Sequence, residues 1–252
     1  MDEATIHGWM VVAEFALAAI TFVALRFVVA PYGRHTRPGW GPTVPSRVGW
    51  IVMESPAVLG FLWVWSRGDH VDELVPRVLL GMWMLHYVHR TFIFPFRMEL
   101  RGKRMPLAVV ALAIVFNTLN FYVNARWISH LGRYDDAWLW SIPMLVGVAL
   151  FGTGMILNIW SDSALARMRR DAGGGYVLPR GGPFEWVVQP NYLGELMEWL
   201  GWAIATWSWA GLSFAVYTFA NLGPRAQTNR AWYMERFSDF PRRRKAVIPG
   251  IW

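Results

Sequence analysis

The sequence contains no cysteine, which excludes disulfide scaffolds, iron–sulfur clusters, thiolate metal sites and cysteine nucleophiles. Charged residues are also scarce. They make up 16% of the 252 residues, whereas about 25% is usual in a soluble protein. Apolar residues supply 55%, which excludes an intrinsically disordered chain. Seventeen tryptophans are present, and this residue is enriched where a membrane meets water. The composition therefore indicates an integral membrane protein.

Five apolar runs are long enough to cross a bilayer as a helix, which takes about 20 residues. They cover residues 9–30, 48–65, 75–95, 107–123 and 138–159. A sixth stretch, residues 193–222, is too long for one pass and too short for two full ones. A break at residues 206–208 would divide it into two short helices.

The distribution of charge decides between one pass and two in this last stretch. With seven passes and the N-terminus outside, the inner segments carry 18 of the 24 Lys and Arg residues. Basic residues favour the cytoplasmic side of a membrane. A single pass would place the basic residues of 242–245 outside. The sequence therefore predicts an all-α bundle of seven transmembrane helices in one domain, residues 1–252, with the N-terminus outside and the C-terminus cytoplasmic.

Ionisable side chains within the apolar runs are candidates for function, because charge is costly in lipid. Glu54 lies midway along the second run, and His86-Tyr87-Val88-His89-Arg90-Thr91 interrupts the third. The carboxyl group of Glu54 is either paired, for example with Arg90, or protonated. A metal site at His86 and His89 is a weak alternative, because two histidines do not complete a ligand set.

A second polar group lies at the predicted inner ends of the fifth and sixth runs. It comprises the segment Asn158-Ile159-Trp160-Ser161-Asp162, then Arg169, Arg170 and Tyr176, and then the segment from Asn191 to Glu198. Helix capping by Ser161, Asp162 or Asn191 would explain single members. A polar ligand cavity explains the whole set better.

A third group is basic and lies near the C-terminus. Arg242 and Arg243 would touch anionic lipid head groups, whereas Arg225 and Tyr233 lie on a polar continuation of the last helix and could face the cavity. The sequence has no Gly-x-Gly-x-x-Gly after a strand, no P-loop and no Gly-x-Ser-x-Gly. Arginine side chains would therefore have to hold any phosphate-bearing ligand.

Several of these segments resemble the steroid 5-alpha-reductases. They are Met53-Glu54-Ser55-Pro56, His86-Tyr87-Val88-His89-Arg90-Thr91-Phe92, Asn158-Ile159-Trp160-Ser161-Asp162, Asn191-Tyr192-Leu193-Gly194-Glu195, Glu198-Trp199, Ala205-Thr206-Trp207-Ser208 and Arg244-Lys245-Ala246-Val247-Ile248-Pro249. The resemblance runs from about residue 46 to the end. It implies a membrane reductase that uses NADPH to convert a 3-oxo-4-ene steroid into the 5-alpha product. A bacterial homologue in the inner membrane is expected; in a eukaryote the membrane would be the endoplasmic reticulum.

The resemblance also implies roles for single residues. Glu54 and Tyr87 would hold the 3-oxo oxygen of the substrate, and Trp50 and Phe116 would line the substrate site. The NADPH contacts would be Lys103, Asn158, Asp162, Arg169, Tyr176, Asn191, Glu195, Arg225, Tyr233 and Arg244. Trp160, Val177 and Asn229 depart from the family pattern, which leaves their contacts with the cofactor open. The partners implied are a steroid or another apolar enone and membrane lipid, without metal or nucleic acid.

The chemistry of conjugate reduction agrees with these roles. Hydride addition to the β carbon leaves negative charge on the carbonyl oxygen, and donors aimed at that oxygen stabilise the transition state. A tyrosine hydroxyl and a carboxylic acid kept neutral by an apolar site are suitable donors. We therefore expect Glu54 to be protonated in the working enzyme.

Other functions fit parts of the sequence. A reductase of enoyl thioesters or polyprenoid lipids could use the same scaffold. A membrane methyltransferase would use S-adenosylmethionine and would need no carbonyl-binding Glu and Tyr. A transporter would line a path with its buried polar groups, but transporters often contain inverted repeats, and none is visible in the sequence.

Overall fold

The computed structural model describes residues 1–31, 33–98, 100 and 102–252. Helices dominate this part of the chain, as predicted. They are α1 (Glu3–Phe27), α2 (Ser46–Trp65), α3 (Leu74–Val88), α4 (Phe94–Arg97), α5 (Leu107–Arg126), α6 (Ile142–Asp171), α7 (Pro190–Thr206) and α8 (Trp209–Arg236). The all-α prediction omits a small antiparallel sheet, in which β1 (Thr43–Pro45) pairs with β2 (Arg104–Pro106).

Four stretches of helix are long and apolar enough to cross a membrane. They are α1, α2, α5 with its extension to Leu131, and α6. Large apolar side chains of α1 point outward, including Trp9, Val12, Ile20 and Val23, which are each more than half exposed. An apolar outer surface suits lipid rather than water, so the fold is that of a helical membrane protein.

Three predicted spans differ from the helices in their bounds. The span 9–30 was placed too late, because α1 begins at Glu3 and ends at Phe27. The span 75–95 comprises α3, a π-helical turn at His89–Ile93 and the start of α4. The span 138–159 was placed too early, because residues 136–140 form a separate 3-10 turn. Helix α6 begins at Ile142, where the Ser141 hydroxyl accepts a hydrogen bond from the backbone N–H of Met144 at 3.2 Å.

The predicted break at residues 206–208 is confirmed. Helix α7 ends at Thr206, Trp207 adopts a left-handed conformation with φ 45°, and α8 begins at Trp209. The Ser208 hydroxyl caps α8 by accepting the backbone N–H of Gly211 at 3.0 Å. A left-handed residue ends a helix, and the short connection lets α7 and α8 pack side by side.

Helices α6 and α7 approach each other along glycines. A Cβ atom added to Gly154 would lie 2.5 Å from the carbonyl oxygen of Gly194, and one added to Gly201 would lie 2.6 Å from that of Gly147. Small residues allow helix backbones to come this close in membranes. The contact brings the polar inner halves of the two helices together.

The core is aromatic and centres on Trp83. Its ring lies 4.4 Å from that of Phe61, 4.8 Å from Tyr87, 5.4 Å from Trp199 and 5.3 Å from Trp202, measured between centroids. The indole N–H of Trp83 donates to the carbonyl oxygen of Ala57 at 2.8 Å. Helices α2, α3 and α7 are thereby packed around one buried ring.

Polar contacts gather several loops at one end of the bundle. Arg126 pairs with Glu3 near the N-terminus, through Nη2 and Oε2 at 2.9 Å, and donates to the carbonyl oxygen of Arg67 at 3.0 Å. The Tyr134 hydroxyl donates to the carbonyl oxygen of Thr206 at 2.7 Å. The N-terminus, the loops around residues 66–74 and 124–137, and the α7–α8 turn therefore lie together, away from the sheet.

Candidate active site

A cavity of about 400 Å³ opens at the end of the molecule that carries the sheet. Its volume falls within the range of small-molecule sites, about 300–1,000 Å³. Seven of the predicted site residues line it: Trp50, Lys103, Asp162, Arg169, Tyr176, Asn191 and Arg225. The structure thus brings together residues that are up to 175 positions apart in the sequence.

One wall of the cavity is formed where α6 meets α7. The Asn158 amide donates to the carbonyl oxygen of Asn191 at 2.9 Å, and the Asn191 amide donates to Asp162 Oδ1 at 2.9 Å. The capping alternative is wrong for these residues. Ser161 and Asp162 lie within α6, and Gln189 rather than Asn191 occupies the N-cap of α7.

Arg90 connects this wall to the second half of the predicted site. Its guanidinium lies 3.8 Å from Asp162 Oδ2 and 3.4 Å from Glu195 Oε2. It also stacks over the ring of Trp50 at 4.9 Å, and the indole N–H of Trp50 donates to the Arg90 carbonyl oxygen at 3.1 Å. Within the part of the chain that the structure describes, Arg90 forms its ion pairs with Asp162 and Glu195 rather than with Glu54.

Three acceptor atoms at this wall are buried and receive no hydrogen bond among the described residues. They are Asp162 Oδ2, Asn191 Oδ1 and Glu195 Oε2. A buried acceptor without a donor costs free energy, and most such atoms in native proteins find a partner. A ligand that carries hydroxyl or amide N–H groups would supply the missing donors.

Part of the cavity lining is basic. Lys103, Arg104, Arg169, Arg225 and Arg34 all line it. The Arg225 guanidinium donates to the Tyr192 hydroxyl at 3.0 Å, and that of Arg169 lies over the Tyr176 ring at 4.9 Å. Guanidinium groups bind phosphate oxygens in pairs of hydrogen bonds, so this part suits a ligand with several phosphates.

Arg34 was missed by the sequence analysis. Its guanidinium lies 4.7 Å from the ring centroid of Tyr233 and 5.3 Å from that of Tyr176. Arg34 Nη1 is buried and has no hydrogen-bond partner among the described residues. The available signal was its position among the basic residues of the predicted inner segment 31–47.

Four predicted cofactor residues do not line the cavity. Asn158 and Glu195 belong to the α6–α7 wall, where they contact Asn191 and Arg90, and Tyr233 and Arg244 lie behind the cavity surface. Tyr233 is buried in a small cluster with Val188 and Phe240. Arg244 is also buried, and it donates to the carbonyl oxygen of Pro179 at 2.8 Å. Burial lowers the pKa of Arg244 below its usual value, and the nearby carboxylate of Glu185 opposes that shift. Tyr233 and Arg244 both support the wall of the cavity in this structure.

Glu54 and Tyr87 lie deeper in the bundle than the cavity lining. Glu54 is four residues beyond Trp50 on α2, and Tyr87 is three residues before Arg90. The Tyr87 ring is buried beside Trp199, with centroids 5.5 Å apart. Trp83, four residues before Tyr87, donates to the carbonyl oxygen of Ala57, three residues after Glu54, so the two predicted carbonyl-binding groups lie on adjoining parts of α3 and α2.

Helix α5 completes the surroundings of Glu54. The amide of Asn117 lies 3.4 Å from Glu54 Oε2 and donates to the carbonyl oxygen of Met53 at 2.7 Å. Phe116, the adjacent residue, stacks on Tyr217 of α8 with ring centroids 3.5 Å apart. The residue next to the Glu54 contact on α5 is therefore part of an aromatic stack between α5 and α8.

His86 bonds to an acid rather than to His89. Its Nδ1 atom lies 2.5 Å from Glu198 Oε2, and both side chains are buried. Among the described residues, no group of three or more histidines and acids is arranged to hold a metal. The sequence analysis noted both residues but missed their pairing, because nothing local links α3 to α7.

Comparison with known proteins identifies the family. Residues 103–252 match the family described as 3-oxo-5-alpha-steroid 4-dehydrogenase. The chain is 46% identical to Steroid 5-alpha-reductase DET2 of Arabidopsis thaliana over 240 residues, which are 92% of this chain and 91% of that protein. It is 40% identical to 3-oxo-5-alpha-steroid 4-dehydrogenase 1 of Homo sapiens over 245 residues, 94% of this chain and 92% of that protein.

The chain belongs to the 3-oxo-5-alpha-steroid 4-dehydrogenase family. It is therefore an oxidoreductase that acts on CH–CH groups, and the predicted family is confirmed. A reductase of this family implies a nicotinamide cofactor. The cavity fits such a group, because part of its lining offers guanidinium and ammonium groups for phosphates and the α6–α7 wall offers buried acceptors without donors.

The departures from the family pattern have different positions in the structure. Trp160 is 41% exposed and packs on Phe184, at 5.9 Å between ring centroids, outside the cavity lining. Asn229 lines the cavity, where its Oδ1 atom lies 3.1 Å from His35 Nε2. Burial and the nearby Arg34 lower the pKa of His35. Of these departures, Asn229 is the one that lies directly at the cavity.

Proposed function

We propose that this chain uses NADPH to reduce the 4,5 double bond of 3-oxo-4-ene steroids, giving 5-alpha-3-oxo steroids, and that residues 1–252 form one reductase domain. The observation that carries the proposal is the arrangement of three zones in one region. Basic side chains and buried acceptors line the cavity, and Glu54 and Tyr87 each lie about one helical turn from a lining residue, Trp50 and Arg90 respectively.

The cofactor would occupy the cavity. Lys103, Arg169 and Arg225 would hold its phosphates, and Asp162, Asn191 and Glu195 would accept hydrogen bonds from its hydroxyl and amide groups. When bound, NADPH supplies the hydride. The number of basic groups favours NADPH over NADH, because NADPH carries an additional phosphate.

Glu54 and Tyr87 would hold the 3-oxo oxygen of the steroid. As hydride reaches the β carbon, C5, negative charge develops on that oxygen, and two hydrogen-bond donors would stabilise it. A protonated Glu54 is able to donate such a bond, which an ionised carboxylate cannot do. The product forms when the enolate takes up a proton at C4.

The steroid would lie along the aromatic surface near Glu54. Trp50 faces the cavity and stacks on Arg90, and Phe116 stacks on Tyr217 near the carboxyl group. An apolar substrate partitions into the bilayer and would enter from lipid, whereas the charged cofactor would enter from the basic end. This arrangement agrees with seven passes, an outer N-terminus and a cytoplasmic C-terminus.

The test measures oxidation of NADPH by the purified full-length chain in detergent, with a 3-oxo-4-ene steroid added, and identifies the product by mass spectrometry. The proposal predicts a 5-alpha-steroid from the wild type and almost none from Glu54→Gln. Glu14→Gln is the matched control. It changes another carboxyl in a membrane helix, one that is fully buried and whose Oε2 accepts from the Ser213 hydroxyl of α8 at 2.9 Å.

The outcomes separate the parts of the proposal. If NADPH binds but no steroid is reduced, the cofactor assignment holds and the substrate is an enoyl or polyprenoid lipid. If Glu54→Gln and Glu14→Gln lose activity equally, Glu54 has no special role. If NADPH does not bind at all, the cofactor assignment is wrong.

A further inference from the structure

A second cavity, of about 280 Å³, lies between α4 and the inner half of α6. We call it the α4–α6 groove. Its polar lining consists mainly of Arg97 on the α4 side, Ser163, Arg167 and Arg170 on α6, and His89 on the π-helical turn. None of these residues has a part in the function proposed above.

The arginines of the groove are distinct from those of the candidate active site. Ser163, Arg167 and Arg170 are spaced by four and three residues, so they lie on one face of α6. Arg169 points to the other cavity. Asp162 borders both cavities, but its carboxylate oxygens are directed to Asn191, at 2.9 Å, and to Arg90, at 3.8 Å. The groove therefore keeps an excess of positive charge.

The groove also offers neutral hydrogen-bonding groups. Arg97 Nη2 donates to the Ser163 hydroxyl at 2.8 Å, which holds the guanidinium at the wall of the groove. His89 Nε2 is buried and has no hydrogen-bond partner among the described residues. The Ser163 hydroxyl itself donates to the carbonyl oxygen of Ile159 at 2.5 Å, so the donors for a ligand are the guanidinium groups and His89. A phosphate group presents several acceptor oxygens, and guanidinium and imidazole groups both bind such oxygens.

Apolar surface adjoins the groove on both sides. Phe96 lines it and is 62% exposed, and Phe92 and Ile93 on the preceding turn are 41% and 46% exposed. On α6, Ile156 is 72% exposed and lies seven residues before Ser163, on the same helix face. In a membrane, this apolar surface contacts the acyl chains of lipids, and the arginines of the groove lie at the same depth.

We propose that the α4–α6 groove binds the head group of an anionic phospholipid, whose acyl chains lie on the adjoining apolar surface. A lipid with net negative charge is favoured, because the amine of a zwitterionic lipid would meet the same arginines. Phe94 and Met98 border both this groove and the candidate active site. A bound lipid would therefore stabilise one wall of that site.

The test is native mass spectrometry of the full-length chain purified in detergent, with equimolar dioleoylphosphatidylglycerol and dioleoylphosphatidylcholine added. We expect the wild type to retain phosphatidylglycerol in preference. Each basic residue near an anionic lipid contributes a factor of about five. Two such factors multiply to about 25. The double variant Arg97→Gln/Arg170→Gln should therefore bind phosphatidylglycerol about 25-fold more weakly than the wild type does.

The matched control is Arg67→Gln/Arg133→Gln. It removes the same charge from two exposed residues outside the groove, and it should retain phosphatidylglycerol at the wild-type level. Equal loss in both variants would show that net charge alone holds the lipid, and retention in both would place the lipid elsewhere. If Arg97→Gln/Arg170→Gln does not fold, Arg167→Gln/Arg170→Gln replaces it, because both of those residues are exposed.

Two additions to the wild type distinguish other sources of the same chemistry. Excess NADPH should leave the bound phosphatidylglycerol in place, because the groove and the candidate active site are separate cavities. Displacement by NADPH would put the lipid in the active site and overturn the inference. Displacement by inorganic phosphate at concentrations as low as those of the lipid would show that the groove binds a free anion instead.

Discussion

The Tyr87 hydroxyl is the single group whose removal tests the proposed chemistry with least disturbance. Tyr87→Phe keeps the buried ring that packs on Trp83 and Trp199 and removes one donor to the developing oxyanion. Loss of one such donor lowers kcat by about 100- to 1,000-fold. We expect a fall of this size in steady-state turnover, with the Kd for NADPH measured by calorimetry nearly unchanged.

Tyr134→Phe provides the control for this variant. The Tyr134 hydroxyl is partly buried and hydrogen-bonded, since it accepts from Trp127 Nε1 at 2.9 Å and donates to the Thr206 carbonyl oxygen at 2.7 Å. Its loss should lower the melting temperature and leave kcat near the wild-type value. If Tyr134→Phe lost as much turnover as Tyr87→Phe, the effect would be one of packing rather than of catalysis.

His35 should make the stability of the protein depend on pH. Burial lowers its folded-state pKa below the unfolded value of about 6.5, so the folded state favours the neutral imidazole. Its contribution to stability is complete above the unfolded pKa and is lost as the pH falls below it. Between about pH 7 and pH 5, the melting temperature of the wild type should fall more steeply than that of His35→Gln, measured by intrinsic fluorescence. Parallel curves would contradict the prediction.

The residues of the site could be predicted from the sequence better than their hydrogen-bond and ion-pair partners could. Asp162 and Asn191 stood out because polar side chains at the ends of apolar runs are unusual, and the structure places them in contact. Arg34 and His35 lie in a short irregular segment without a pattern, and the His86–Glu198 bond joins residues 112 positions apart. Such contacts depend on how helices pack, which composition and spacing do not specify.

At the scale of the helices, the glycines between α6 and α7 set the geometry of the polar wall. A Cβ at Gly154 would lie 2.5 Å from the Gly194 carbonyl oxygen and 2.6 Å from the backbone nitrogen of Glu198. Backbone atoms cannot rotate away as side chains do, so Gly154→Ala must separate the helices. Overpacking of this kind costs about 1–3 kcal/mol. We expect a lower melting temperature together with weaker NADPH binding, because Asn158 and Glu198 would shift with the backbone.

Gly152→Ala is the matched control, because the same substitution two residues earlier on α6 meets no atom within 4 Å. Alanine favours helix over glycine by about 1 kcal/mol, so this variant should be as stable as the wild type or more stable. If both variants behaved alike, the contact between α6 and α7 would not control the cavity.

The long helices could be predicted because their apolar runs are long. The short strands and turns could not. The break at residues 206–208 could be predicted from the length of the apolar stretch and the distribution of charge. The sheet could not, because each strand has three residues and ends in proline, which leaves no alternation to recognise. The 3-10 turn at residues 136–140 contains Trp138 and Trp140, and their apolar character extended the predicted span too far.

At the scale of the whole molecule, the two ends of the bundle differ in chemistry. One end joins the N-terminus, the acidic loops and the α7–α8 turn through Glu3, Arg126 and Tyr134. The other carries the cavity, with its lysine and arginine side chains. This separation is the one that the distribution of charge predicted. It would give an anionic cofactor and an apolar substrate different routes to one reaction centre.

The predicted topology is tested by single cysteines, for which this chain is suited because it contains none of its own. Asp136→Cys and Arg243→Cys both introduce the thiol at an exposed position. Seven passes place the two residues on opposite sides, with residue 243 cytoplasmic. A membrane-impermeant maleimide should therefore label only Asp136→Cys in right-side-out vesicles and only Arg243→Cys in inverted ones. Labelling of both variants from the outside would contradict the seven-pass topology, because residues 136 and 243 would then lie on the same side of the membrane.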